Sequence, residues 1–208
     1  MKTITFFTAI TLFAFFISCS EDDDTPEMIA VTSNSVENLY APQEGGQGQP
    51  VSGAFTKFNF ATGQTTSSDT DWDIAFRGST IIVNGGVSSG TADEPDRTGN
   101  AAAYIASGTM ASVTEVSTAS FKQDTAEALA ITTGSGNGWY IYAGEPTHLI
   151  TPTPGKILVF RTNDDKYAKI EILSYYKDAP EAPNAFVDET PYYTFNYVYQ
   201  PNEGTTTF

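Results

Sequence analysis

One histidine and one cysteine stand in a chain of 208 residues, against 25 aspartates and glutamates and 10 lysines and arginines. Those counts sort the chemistry open to it. A serine-hydrolase triad would need His148 as its base beside a serine on a sharp turn. No G-x-S-x-G occurs, and Gly134-Ser135-Gly136 sits in a hairpin-turn context. Paired carboxylates for glycoside hydrolysis can be drawn from any acidic chain, so they specify nothing. Asp69-x-Asp71-x-Asp73 has the spacing of a calcium loop, but Ile74 stands where the EF-hand turn needs glycine. Those aspartates read as solvent-facing strand residues. A single cysteine excludes a disulfide framework and cysteine-held zinc or iron–sulfur clusters, and a single histidine excludes a multi-histidine metal site. No enzymatic activity is expected. What remains is His148, in the proline-flanked segment Glu145-Pro146-Thr147-His148-Leu149-Ile150-Thr151-Pro152, which reads as a loop between two strands. A lone histidine is more often structural or merely exposed than a ligand. Imidazole is nonetheless a good axial donor to haem iron, which needs only one or two such donors.

The cysteine's chemistry follows from its place. Residues 1–18 carry a basic residue, Lys2, followed by an apolar run from Ile4 to Ile17, too short for a bilayer span of about 20 residues. Phe16-Ile17-Ser18-Cys19 then resembles a bacterial lipobox, cut before a cysteine whose thiol is acylated; an ordinary signal peptide with an incidental cysteine is the other reading. Ser20-Glu21-Asp22-Asp23-Asp24 resembles the surface-export tether of some Gram-negative lipoproteins; the alternative is a solvated spacer, which such charge runs usually are. The expected organisation is a signal peptide over 1–18, a lipidated acidic tether over 19–37 and one domain over 38–208. Anchoring in the outer membrane through Cys19, exposed at the cell surface, is the corresponding expectation.

The elements that must position His148 read as strands. Trp72, Ile74 and Phe76 alternate with Asp73, and Thr80 to Val83 is a β-branched run stopped by Asn84-Gly85-Gly86, which has hairpin-turn chemistry. Lys156–Thr162 and Lys166–Leu173 flank Asn163-Asp164-Asp165 as a hairpin, with Ala168, Ile170 and Ile172 inward against Lys169 and Glu171. In the last strand Tyr193, Phe195, Tyr197 and Tyr199 share one face, long enough that it must pack on something large, most simply a second sheet. Ser117 to Ala130 is the one stretch with a helical pattern. The segments Gly45–Gly53 and Gly85–Asn100 read as polar loops. The fold class expected is all-β: a single domain of packed antiparallel sheets with at most one or two short helices.

Charge narrows the partners. A formal charge of −15 leaves no basic patch to displace counterions from a phosphate backbone, so nucleic acid is excluded as a partner. With 40% hydrophobic and 13% aromatic residues the chain still has ample material for a core.

Trp72-Asp73-Ile74-Ala75-Phe76-Arg77, Ile81-Ile82-Val83-Asn84-Gly85-Gly86, Lys156-Ile157-Leu158-Val159-Phe160, Tyr167 to Tyr176 and Tyr193 to Gln200 together resemble the HmuY family of bacterial haem-binding surface lipoproteins. The resemblance covers most of residues 50–201 and keeps the motif order. It implies an all-β domain that takes non-covalent b-type haem, from haemoproteins or the surroundings, and passes it to a TonB-dependent outer-membrane receptor. Family members hold the iron between two axial side chains, two histidines in some and two methionines in others. Here the resemblance implies His148 and Met110 as the haem-iron ligands, a departure from both like-paired patterns. Core filling is the other reading of Met110. Arg77, Arg97 and Lys122 are the basic residues considered for the haem propionates. The alternative is an HmuY-like scaffold serving another ligand: an apolar small molecule, a glycan or a partner protein.

Overall fold

The computed structural model describes residues 27–208. The signal segment, Cys19 and the acidic run at 21–24 lie outside the described residues. In chain order the strands are β1 (Thr32–Tyr40), β2 (Glu44–Gly46), β3 (Gln49–Ser52), β4 (Thr56–Asn59), β5 (Gln64–Thr66), β6 (Ile74–Arg77) and β7 (Thr80–Val83). There follow β8 (Ala102–Ser107), β9 (Tyr140–Tyr142), β10 (Ile150–Pro152), β11 (Lys156–Arg161), β12 (Tyr167–Ser174) and β13 (Tyr192–Gln200). They form a five-stranded sheet in the order β1-β13-β12-β11-β8, a four-stranded sheet in the order β5-β4-β6-β7, and two small hairpins, β2-β3 and β10-β9. All pairings between these strands are antiparallel. The all-β class read from the sequence is the class observed.

The alternation in the sequence decides how the sheets meet. Leu158 and Phe160 of β11, Ala168, Ile170 and Ile172 of β12, and Tyr193, Phe195, Tyr197 and Tyr199 of β13 all turn to one interior. Phe58, Ile74, Phe76, Ile81 and Val83 meet them from the four-stranded sheet, with Phe60 just beyond β4. Phe58 lies edge-on to Phe195 at 5.6 Å, and Phe76 approaches Tyr193 at 4.8 Å. Each such fully buried aromatic removes enough apolar surface to contribute about 2–3 kcal/mol. A second, smaller cluster covers the opposite face of the five-stranded sheet: Ile157 and Val159 of β11 pack there with Val113, Val116 and Tyr167. A third covers the outer face of the four-stranded sheet, around Phe55, Trp72, Ala75 and Ile82.

Several expectations are corrected. Residues 32–37, read as tether, are already strand: Thr32 pairs with Tyr199 and Val36 with Phe195. The helix expected over 117–130 is a single 3-10 turn, Thr118–Ser120, followed by irregular chain. Tertiary pairing overrides local propensity there. Lys122 exchanges backbone hydrogen bonds with Ala103, and the buried Asp124 carboxylate accepts from the backbone N–H groups of Val83 and Ala130. Trp72 does not share a face with Ile74 and Phe76, because it precedes β6 and packs on the outer cluster. Asn84 makes no hairpin. It is fully buried, donates to the Thr70 and Trp72 carbonyls, and accepts from the N–H groups of Thr98 and Gly99. The hairpin turn between β6 and β7 is instead Gly78-Ser79. Asp73 does not face solvent either. It is 3% exposed and accepts from the N–H of Phe60 and of Asn163, tying the four-stranded sheet to the β11–β12 turn. Burial pushes its carboxyl up to about 6, against those two hydrogen bonds.

Candidate functional site

His148 is positioned by the β9–β10 hairpin, and that hairpin is anchored at its base. Gly138 lies so close to the Thr132 carbonyl that an added Cβ would sit 2.0 Å from its oxygen, so only glycine fits. Trp139 follows, 2% exposed, with Nε1 donating to the Ser79 carbonyl at 2.9 Å and its ring against Tyr175 and Tyr193. Three rungs on, Tyr142 pairs with Ile150, whose N–H donates to the Tyr176 hydroxyl at 3.0 Å. Leu149 and Ile150 pack against the aromatic interior.

The hairpin tip then presents the imidazole. Ala143 N–H donates to the Leu149 carbonyl at 2.9 Å and His148 N–H to the Gly144 carbonyl at 2.7 Å, closing the loop. His148 itself has φ of 54°, a left-handed conformation that costs a non-glycine residue about 1 kcal/mol or more. Its Nδ1 lies 2.5 Å from the Tyr142 hydroxyl, and its ring meets Phe186 edge-on at 5.6 Å. Phe186 belongs to a tight turn in which Asn184 accepts the N–H groups of Phe186 and Val187. That turn holds Phe186 70% and Val187 76% exposed. Ile141 and Tyr142 are also exposed, so His148 sits among a cluster of solvent-facing apolar side chains.

This arrangement fits one axial donor to haem iron. With Nδ1 hydrogen-bonded to Tyr142, Nε2 is the nitrogen left for a metal. Ligation there requires the tautomer in which Nδ1–H donates to the Tyr142 oxygen, an outer contact that orients an imidazole and strengthens it as a donor. The exposed Phe186 and Val187 supply apolar surface for the face or edge of a flat macrocycle.

Met110 is placed elsewhere. It lies in the turn after β8, where Ser112 and Val113 N–H groups donate to the Thr109 carbonyl. Its side chain packs on the cluster of Val113, Val116, Ile157, Val159 and Tyr167. Its carbonyl accepts from the Lys169 ammonium at 2.7 Å, which holds Lys169 buried on the outer face rather than in solvent. Successive residues of a strand point to opposite faces. Met110 therefore shares the Ile157 and Val159 face of the five-stranded sheet, whereas the hairpin bearing His148 packs on the Leu158 and Phe160 side. The structure does not bring the two residues together.

The basic residues divide three ways. Arg97 is buried in ion pairs with Glu94 and with Asp124 at 3.1 Å, so it is already spent within the fold. Hydrogen bonds from Ser89, the Arg97 charge and Thr91 outweigh desolvation to hold the Glu94 carboxyl down to about 2. Lys122 is exposed, and Arg77 is 3% exposed on the outer face of the four-stranded sheet. The Phe186-Val187 pair and Tyr142 were missed by sequence reasoning. An apolar pair inside the otherwise polar, proline-rich run from Ala179 to Pro191 was the signal available.

A family model described as HmuY protein matches residues 53–197. The chain belongs to the HmuY family. Among solved structures it is similar to the apo HmuY analogue of Tannerella forsythia, at 16% identity and a TM-score of 0.51, covering 86% of this chain and 100% of that one. A Bacteroides vulgatus ATCC 8482 protein assigned as HmuY-like and heme-binding aligns at 12% identity with a TM-score of 0.46, over 83% of this chain and 93% of that one. A Bacteroides fragilis NCTC 9343 protein assigned as a lipoprotein aligns at 16% identity with a TM-score of 0.46, over 84% and 94% of the two chains. No curated protein matches the chain. The Tannerella likeness extends the HmuY fold to β1, upstream of the matched residues.

Proposed function

We propose that this HmuY-family chain is a surface lipoprotein that binds haem at the His148 edge and passes it to an outer-membrane uptake receptor. The observation that carries the reading is the imidazole of His148, fixed at Nδ1 by Tyr142 with Nε2 unengaged among the described residues, beside exposed Phe186 and Val187. A buried structural histidine would have both nitrogens satisfied inside the fold. An incidental surface histidine would have no need of a tyrosine on one ring nitrogen and an aromatic edge against its ring amid exposed apolar side chains. Family membership supports haem as the ligand, and the Cys19 lipobox supports lipid anchoring. The role is capture and release, with no turnover.

A second reading, an HmuY scaffold serving another ligand, is favoured by one observation: Met110 lies across the five-stranded sheet from the histidine's hairpin, so one internal donor stands at the edge. Titration of the chain with ferric haem, followed by visible absorption, separates the two. The haem reading expects a Soret shift that saturates at one equivalent and is lost in His148→Ala. A broad, non-saturating change, equal in the wild type and the variant, would sink it. The spin state reports coordination: high-spin bands mean His148 alone, and low-spin bands mean a second protein donor has reached the iron.

A further inference from the structure

The outer face of the four-stranded sheet carries a cavity of about 420 Å³, within the usual size range of small-molecule pockets. Phe55, Ile82 and Leu129 form its apolar wall, Arg77 and Thr91 stand on its lining, and Glu127, exposed, is its one carboxylate. Arg77 is the unusual member. It alternates outward with Ala75 along β6, stacks over Phe55 with its guanidinium 4.2 Å from the ring centre, and is 3% exposed.

A guanidinium stays charged at any ordinary pH, and burying it without an anion costs several kcal/mol. Arg97 meets that cost with two carboxylates. Arg77 hydrogen-bonds to neutral oxygens only: Nη1 donates to the Gly53 and Ala92 carbonyls, and Nη2 to the Thr91 hydroxyl at 2.8 Å, while the Glu94 and Asp93 charges act on it from beyond ion-pair distance. The nearest acids are occupied. Glu94 accepts from Arg97, Ser89 and Thr91, and Asp93 accepts from the Gly53 N–H. Of the five N–H groups of the fork, Nε–H and one on Nη2 have no acceptor among the described residues. Those two N–H groups are the kind that a carboxylate engages in bidentate fashion.

We propose that this cavity binds a small organic carboxylate with an apolar body, its anionic head on the open edge of Arg77 and its chain against Phe55, Ile82 and Leu129. The cavity shares no lining residue with the His148 edge, so this site and the haem reading stand or fall separately.

Isothermal titration of the full-length chain with hexanoate, and with hexanamide as the uncharged counterpart, tests it. Hexanoate is expected to bind saturably at one site, at least tenfold tighter than hexanamide, and to shift the Arg77 Nε–H resonance. Arg77→Gln is expected to abolish the preference for the charged ligand. Because Arg77 also supports the Gly53 and Ala92 loops, Arg77→Gln can fail to fold. Ala128→Trp, which puts a bulky ring into the cavity from an exposed position on its lining and leaves Arg77 in place, then decides by losing hexanoate at an unchanged unfolding temperature. Absence of saturable binding by the wild type overturns the proposal. So does equal affinity for the two ligands, or undiminished hexanoate binding by folded Ala128→Trp.

Discussion

His148 and Met110 are the two residues named as haem-iron ligands from the family resemblance, and the fold treats them oppositely. The hairpin tip spends backbone strain, a tyrosine hydroxyl and an aromatic edge on holding one half-buried imidazole in place. The turn after β8 spends its methionine on filling the outer cluster, and ties its own carbonyl to Lys169. The difference is one of available atoms. A nitrogen that the fold has oriented and left unengaged is free for a ligand, whereas a thioether packed among valines is already part of the stability of the domain.

Exchanging the two residues for inert ones breaks the comparison most directly. His148→Ala is expected to weaken haem binding about a hundredfold, close to 3 kcal/mol, in a visible-absorption titration. Met110→Leu should leave the titration within twofold of wild type, since it keeps the volume. A loss as large in Met110→Leu would place the thioether on the iron and show that the turn swings out from its packed position.

Asp73 lies apart from both regions, at the junction of the two sheets, and separates fold from site by pH. Its folded carboxyl is raised by burial from 3.8 to about 6, so the folded chain holds this proton more tightly than the unfolded one. The associated stability is full below pH 3.8 and is lost as pH rises through about 6, an effect on the order of 2–3 kcal/mol. Denaturant unfolding of wild type and Asp73→Asn across pH 4 to 7 checks it. The difference between the two proteins should change with pH over that interval, and a constant difference would count against the buried, protonated carboxyl.

Smaller effects sharpen the contrast between working edge and packed turn. Replacing Phe186 and Val187 together by serine is expected to cost roughly tenfold in haem affinity, through lost apolar contact, with little change in unfolding temperature because both are exposed. Met110→Ala should do the reverse, lowering stability by about 1 kcal/mol through a partly collapsed cavity while haem affinity holds. Unfolding curves and titrations on the same two samples read out both halves.

Much of the scaffold is legible in the sequence. The alternation of β12 and β13 named the inward residues correctly from Ala168 to Tyr199, because a half-buried strand must place apolar groups at every second position. Reading failed where a polar side chain was drawn inside by a distant partner. Asp73, Asn84 and Asp124 look like surface residues in sequence, and each is buried because it accepts or donates to backbone groups far along the chain. The same pull unmade the helix expected over 117–130.

His148 shows where that boundary runs for the site. The sequence by itself determined that one imidazole exists, that it follows a strand on a proline-flanked loop, and that the surrounding motifs are those of the HmuY family. Local alternation and composition suffice for that. Only the tertiary structure decided that Tyr142 engages Nδ1, that Phe186 from a distant turn stands against the ring, that Met110 is on the other side of a sheet, and that Arg77 is buried with no carboxylate partner among the described residues. Such facts depend on which loops meet. Loop meetings are set by the packing of whole sheets, which short-range patterns do not encode.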